Sequence, residues 1–209
     1  MLFRSVSLDF TGAMKGMAKN DYTYLRSELT ISYRLATPPA GFSRIRLNIG
    51  KIFGTVPYPL LKLHEGNGTY FLDKNAFACM SFYEFASDTW ATFFLEHNFN
   101  GFFLGKIPLL RRMQLREVYT LKAAYGTLSE KNNGIIGHPA SSGASLLFPI
   151  GMSSLEKPYV EMGIGVSNIF RLFRIDAFWR ITHRYKEVGG VRQKADNRFA
   201  LNFGIELKF

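Results

Sequence analysis

The chain has 209 residues, of which 15% are aromatic, and its formal net charge at pH 7 is +10. A single cysteine, Cys79, excludes a disulfide framework and a cysteine-based metal site, and the absence of any run of eighteen apolar residues excludes a transmembrane helix. The basic balance leaves nucleic acid, an anionic membrane surface and acidic ligands as candidate partners.

Alternation of apolar and polar side chains with period two runs through most of the chain, which is the period of a β-strand with two different faces. Helical spacing is never sustained for three turns. In the run 112–125 the alternation slips near Glu117–Val118, which predicts a β-bulge. The nine predicted strand-like runs are 2–10, 25–35, 44–50, 76–86, 89–99, 112–125, 159–167, 172–184 and 199–209.

The clearest strand is the last one. From Phe199 to Phe209 every odd position is apolar, and the even positions are small or polar. The final residues also follow the loose pattern of the carboxy-terminal assembly signal of outer-membrane barrels, with Asn202, Gly204, Leu207 and Phe209 at its positions. An insertion machinery would recognise such a segment by strand addition. An ordinary edge strand is the alternative interpretation.

Three features favour a membrane barrel over a soluble sheet. Several strands reach the roughly nine to eleven residues that a tilted membrane strand needs, and aromatic residues cluster near strand ends, as in interfacial girdles. The polar positions also carry full charges, which suits the wet lumen of a closed barrel. The predicted lumen-facing charges are Arg26, Glu28, Arg34, Arg44, Arg46, Arg174, Asp176, Arg180, Arg184, Glu206 and Lys208.

The sequence therefore predicts one all-β domain over residues 1–209, an antiparallel transmembrane β-barrel with eight or nine visible strands. Closed single-chain bacterial barrels have even strand numbers, so either one run is wrongly assigned or partner strands are missing. Because the amino terminus lacks the features of a signal peptide, we expect the chain to be the carboxy-terminal part of a larger barrel.

The segment around residues 57–67 is unusual in composition. It combines prolines and an aromatic residue with a histidine, a glutamate and an asparagine. It is also a long connection where the alternation of long outer loops and short periplasmic turns in membrane barrels predicts a short one. Two interpretations remain open: a loop folded into the lumen as a plug or latch, and a surface connection held by local turns. The residues concerned are Pro57, Tyr58, Pro59, His64, Glu65 and Asn67.

The basic residues leave two further alternatives. The arginine-rich face attracts anions unless carboxylates neutralise it in cross-strand pairs. Residues 108–112 form either an interfacial foot near anionic lipid headgroups or a solvated turn. Nucleic-acid binding needs basic residues interleaved with exposed aromatics on one solvent face, so no nucleic-acid partner is expected.

No catalytic residue, metal site or cofactor is predicted, and the chain is not expected to be an enzyme. The four histidines lack metal-ligand spacing, and Gly163 and Gly165 lie inside a strand rather than in a phosphate-binding loop. A phospholipase-type serine–histidine pair on the lipid-facing wall would have to use His183, for which a plain interfacial histidine is the alternative.

Four stretches carry a family resemblance: GKIFGTVPYPLLKLHEGN (50–67), FYEFASDTW (82–90), HNFNGFFLGKIPLLRRMQLREV (97–118) and EMGIGVSNIFRLFRIDAFWR (161–180). Together they resemble the barrel region of large outer-membrane proteins of diderm bacteria that begin with a carboxypeptidase-regulatory-like domain. Their barrel is similar to the surface-antigen and insertase type. The resemblance implies a location in the bacterial outer membrane and no peptidase activity.

We therefore expect an integral outer-membrane protein that works in transport, assembly or surface display. The expected partners are outer-membrane lipids, the barrel-assembly machinery, and either an unidentified partner or the missing amino-terminal half of the same protein. Two alternatives remain: a soluble β-barrel that binds a hydrophobic ligand with its apolar face turned inward, and a simple porin.

Overall fold

A computed structural model describes residues 4–16, 22–134, 147–188, 191–195 and 197–206. Within these residues there is one short helix, α1 (Pro108–Met113), and 3-10 turns lie at Tyr58–Leu60, Leu104–Lys106 and Glu130–Asn132. No helix in the described part is long and apolar enough to cross a membrane. The strands are β1 (Arg4–Ala13), β2 (Tyr24–Ala36), β3 (Phe42–Gly54), β4 (Lys62–Leu63), β5 (Phe85–Ser87), β6 (Thr89–Asn98), β7 (Arg116–Thr127), β8 (Ser153–Ser154), β9 (Tyr159–Ile169), β10 (Phe173–Arg180), β11 (Tyr185–Val188), β12 (Val191–Lys194) and β13 (Phe199–Ile205).

Eight of these strands form one sheet in the order β1-β2-β3-β6-β7-β9-β10-β13. Each neighbouring pair is antiparallel, which confirms the predicted all-β antiparallel class. Among the described residues the edge strands β1 and β13 do not pair with each other, so the sheet is open there. The longest strands, β2 and β3, have 13 residues each.

The two faces of the sheet have opposite character, as the alternation requires. In β9, Glu161 is 0% exposed and its neighbour Ile164 on the other face is 60% exposed. In β10, Asp176 is fully buried, whereas Trp179 is 41% exposed. The apolar face is thus the outer one and the charged face is covered, which is the reverse of an ordinary soluble sheet.

The charged face is covered by the connection between β3 and β6, residues 55–88, which we call the inner segment. Its strands β4 and β5 form a small sheet with β8, in which β5 and β8 run parallel. The buried apolar clusters lie mainly between this layer and the large sheet. They comprise Ile52, Val56, Leu61, Ala86, Trp90, Phe148 and Met152; Phe77, Met80, Phe85, Ala124, Leu155 and Tyr159; and Ala78, Cys79 and Phe178.

The predicted strand over 76–86 is wrong. Only Phe85–Ser87 forms a strand there, and it belongs to the small sheet. Phe77, Cys79 and Met80 are each 0% exposed, because they lie between the inner segment and the large sheet, against Tyr159 and Phe178. Without this run the large sheet has eight strands, and the longest connections, 55–88 and 128–158, lie at the same end of it.

Two smaller predictions also differ from the structure. The predicted bulge at Glu117–Val118 is wrong, since pairing of β7 with β9 is regular there. Glu117 breaks the apolar pattern because its side chain accepts the N–H groups of Phe103 and Leu104 in the preceding turn of chain. The register shift lies instead in the β9–β10 pair. The connection between the predicted runs 172–184 and 199–209, to which the sequence assigned no strand, contains the hairpin formed by β11 and β12.

Candidate functional site: the polar face and the inner segment

The inner segment is attached to the sheet by the carboxylate of Glu161. This carboxylate accepts the backbone N–H of Ala78 at 2.7 Å and that of Cys79 at 2.9 Å. It also accepts the hydroxyl of Tyr159 at 3.1 Å, and Lys122 Nζ lies 3.7 Å away. Hydrogen bonds to a charged acceptor are the stronger kind, so Glu161 forms a main anchor of this layer.

Glycines in β9 make room for the neighbouring side chains on the polar face. A Cβ on Gly163 would lie 2.5 Å from the ring of Phe178, and one on Gly165 would lie 2.2 Å from Oδ1 of Asp176. Phe178 is the one apolar side chain that the sequence places on the charged face of its strand. It packs against Ala78 and Cys79 of the inner segment.

Arg174 is the centre of a buried ion-pair network. Its guanidinium bonds both carboxylate oxygens of Asp176, at 2.6 and 2.8 Å. It also bonds Glu96 at 2.7 Å and Glu206 at 3.2 Å. Lys74 of the inner segment pairs with Glu206 at 2.5 Å, so the network links β6, β10, the end of β13 and the inner segment.

The contacts of the inner segment show that the sheet curls around it. Leu72 N–H bonds the carbonyl of Phe203 on β13, and three residues later Asn75 accepts a hydrogen bond of 2.6 Å from Arg46 on β3. On a flat sheet β3 and β13 would lie five strand spacings apart, roughly 24 Å. Three residues span at most about 11 Å, less than half of that distance, and side chains stand roughly perpendicular to a sheet and so add little reach along it.

Further pairs neutralise most of the predicted lumen-facing charges. Arg26 bonds Glu28 at 2.7 Å, and Arg180 bonds Glu84 of the inner segment at 2.5 Å. Arg44 pairs with Glu96 at 2.9 Å. The exceptions among the described residues are Arg34, which stacks over the ring of Phe42 at 4.1 Å, Arg46, which bonds only an amide, and Arg184, which is exposed beyond the end of β10. Lys208 lies outside the described residues.

The unusual segment around residues 57–67 forms the first part of the inner segment. His64 is 2% exposed and its Nε2 lies 3.0 Å from the hydroxyl of Ser87, while Nδ1 has no hydrogen-bond partner among the described residues. Burial, reinforced by the charge of Lys62, lowers the pKa of His64 to about 4. Lys62 itself bonds Glu65 at 2.5 Å.

The remaining residues of this group organise the local turns. Pro57 precedes and Pro59 lies within the 3-10 turn, and the Tyr58 ring makes an edge contact with Phe148 at a centroid distance of 6.2 Å. The Asn67 side chain accepts the N–H of Thr69 at 3.0 Å and donates to the carbonyl of Phe71 at 2.6 Å.

Two residues of the predicted assembly signal contact the inner segment. Asn202 is 1% exposed and its amide donates to the carbonyl of Thr69 at 2.9 Å. A Cβ on Gly204 would meet Leu72 at 3.3 Å. Leu207 and Phe209 lie outside the described residues. No sequence pattern indicated this contact, because the partners are more than a hundred residues apart.

His183 lies on the side of the inner segment. It follows the end of β10, and its ring packs against the rings of Phe85 at 5.1 Å and Tyr159 at 6.0 Å. Burial lowers its pKa, and nearby Arg180 adds to this effect. Among the described residues no group of three or more histidine, cysteine or acidic side chains could hold a metal ion.

A family model matches residues 5–132, and its description is the C-terminal domain of a family of unknown function, DUF5686. No curated protein matches the chain, and no solved structure does so either. The resemblance to proteins that begin with a carboxypeptidase-regulatory-like domain stays a prediction.

Proposed function

Since residues 5–132 match the C-terminal domain of the DUF5686 family, and the chain therefore belongs to that family, we propose a role on the basis of its sheet. The chain would form an integral β-barrel domain of a bacterial outer membrane, of the surface-antigen type. It would work without catalysis in transport, assembly or surface display. Outer-membrane lipids and the barrel-assembly machinery are its proposed partners. The finer family likeness inferred from the sequence agrees with this role.

The observation that carries the proposal is the exposed apolar face of the eight-stranded sheet. Large exposed apolar surfaces mark contact with a membrane or a partner protein, and this one extends from the first strand of the sheet to the last. The side chains on it that are at least 36% exposed include Val6, Leu8, Phe10, Leu25, Ile49, Phe53, Met162, Ile164, Ile175, Trp179, Phe199, Leu201, Phe203 and Ile205.

Aromatic side chains at one end of the sheet support the same proposal. Phe53 lies near the end of β3, Tyr125 lies near the end of β7, and Trp179 faces Phe199 across the β10–β13 pair with ring centroids 5.5 Å apart. All four are at least 41% exposed. Membrane barrels place aromatic girdles of this kind at the interface.

The same observations weigh against the two alternatives. A soluble barrel that binds a hydrophobic ligand would turn its apolar face inward, and here that face is exposed. A simple porin needs an open polar face, whereas the inner segment occupies this one through contacts with Glu161, Arg180 and Glu206. A barrel whose interior is filled by its own chain is therefore the better candidate.

Extraction of bacterial membranes tests the proposal. We expect the protein to stay in the membrane pellet after washes with high salt and alkaline carbonate, and to be released only by detergent. Release by carbonate alone would contradict it. Purified protein in planar bilayers should show no steady open channel, and a large stable conductance would favour the porin instead.

A further inference from the structure

A cavity of about 520 Å³ lies on the polar face between the first strands of the sheet and the inner segment. Its walls come from β1, β2, β3, β6, β7 and β10 and from the inner segment. Three arginines, Arg34, Arg44 and Arg46, line one side of it. The lining also has an apolar part, which includes Phe94, the cross-strand partner of Arg46, and Leu72 of the inner segment.

The arginines carry positive charge that the described residues neutralise only in part. Arg34 and Arg44 are direct cross-strand partners in the β2–β3 pair, an arrangement of like charges that is destabilising. Glu96 pairs with Arg44, but it is shared with Arg174. Among the described residues neither Arg34 nor Arg46 has a carboxylate partner.

Hydroxyl groups complete the polar wall. Ser5, Ser32 and Arg46 are successive cross-strand neighbours on the same face, and both serines line the cavity. Thr120, also in the wall, is 5% exposed, and its hydroxyl has no hydrogen-bond partner in the part of the chain that the structure describes. An unsatisfied buried hydroxyl is unfavourable, and a small rearrangement around a ligand would satisfy it.

We propose that this cavity binds an organic phosphate, a phosphate monoester attached to a short apolar group. The planar guanidinium groups match the geometry of phosphate oxygens, and Arg34 and Arg46 supply charge that no acidic side chain of the described ranges pairs with. The apolar group lies against Leu72 and Phe94. This inference goes beyond the proposed membrane role and does not depend on it.

Isothermal titration of the full 209-residue chain with hexyl phosphate tests the site, in whichever buffer or detergent keeps the protein monodisperse. Whether the protein is monodisperse in plain buffer or only in detergent tests the membrane proposal separately, so failure of one proposal can be told from failure of the other. We expect saturable binding with one site, at least tenfold weaker binding of inorganic phosphate, and none of hexanol. Added salt should weaken the affinity.

Variants then locate the binding. Arg34→Gln and Arg46→Gln should each weaken hexyl phosphate binding at least tenfold. Because Arg34 forms no ion pair with another described residue, its substitution should leave the protein folded. Arg111→Gln on exposed α1 is the control and should bind as the parent does. The proposal would be overturned by any of three results. These are the same affinity in all three variants as in the parent, binding of inorganic phosphate as tight as that of hexyl phosphate, and no saturable binding.

Discussion

The carboxylate of Glu161 accepts the backbone N–H of Cys79 at 2.9 Å, although the two residues lie 82 positions apart in the chain. This contact joins β9 to the inner segment at the point where both are fully buried. A carboxylate has two charged oxygens, so the Glu161 side chain can accept two adjacent backbone N–H groups in strong hydrogen bonds away from water. The position of the inner segment therefore depends on a side chain of the sheet.

Replacing Glu161 by glutamine should destabilise the protein by about 2–4 kcal/mol, because the amide loses the charge and leaves Lys122 buried without its partner. The free energy of unfolding in urea, followed by tryptophan fluorescence, measures this. Glu65→Gln is the control: the Glu65 side chain is 51% exposed in its pair with Lys62, and the glutamine carbonyl can still accept from the ammonium of Lys62, so this substitution should cost clearly less than Glu161→Gln. Equal effects of the two substitutions would contradict the anchoring role.

Cys79 reports whether the inner segment stays in place. Its thiol is buried, and burial, followed by the charge of Glu161, raises its pKa to about 12. Since the thiolate is the reactive form, a maleimide should label the native protein hardly at all and the urea-unfolded protein fully. Glu161→Gln should speed native labelling more than Glu65→Gln does. Rapid labelling of the unmodified native protein would show that the segment does not cover the polar face.

The buried side chain of His64 should lower the free energy of unfolding on acidification. Its pKa is about 4 in the folded protein, compared with 6.5 for a histidine exposed to water, so the unfolded chain binds the extra proton first as the pH falls. Stability is full above pH 6.5 and declines as the pH falls toward 4, by at most roughly 3 kcal/mol. Urea unfolding at pH 7 and pH 4.5 should show this decline, and His64→Gln should reduce it. An identical pH dependence in both proteins would contradict the prediction.

The glycines of the sheet should tolerate alanine unequally. Gly165→Ala would place a methyl group 2.2 Å from Asp176, whereas the nearest atom to a Cβ on Gly12 in β1 is 3.5 Å away. Forced shifts in a packed site typically cost about 1–3 kcal/mol. We therefore expect a lower urea midpoint for Gly165→Ala and little change for Gly12→Ala. Equal midpoints would show that the polar face around Asp176 is loosely packed.

The sequence was sufficient to predict the sheet because strand alternation is a local signal. Glu161 and Met162 are neighbours in the chain, and period two alone assigns them to opposite faces. The same rule wrongly predicted a strand around Phe77 and Cys79. In a segment that is buried on all sides, apolar residues do not indicate a strand. The contact of Asn202 with Thr69 depends on the return of the chain across the sheet, which no local pattern encodes.

One useful signal was nevertheless present. Phe178 stands on the charged face of an otherwise regular strand, and Trp90 does the same in β6. Both are covered by the inner segment, at 0% and 1% exposure. Apolar side chains at polar-face positions thus mark where another part of the chain packs.

The orientation of the apolar face is tested most directly by the two tryptophans of the chain, because Trp179 lies on the outer face and Trp90 is buried on the inner one. In vesicles of brominated phospholipid, the fluorescence of the protein should be quenched, and this quenching should disappear in Trp179→Phe, which retains Trp90. Unquenched fluorescence in brominated lipid, together with quenching of Trp179 by aqueous acrylamide, would show that the apolar face does not contact the membrane.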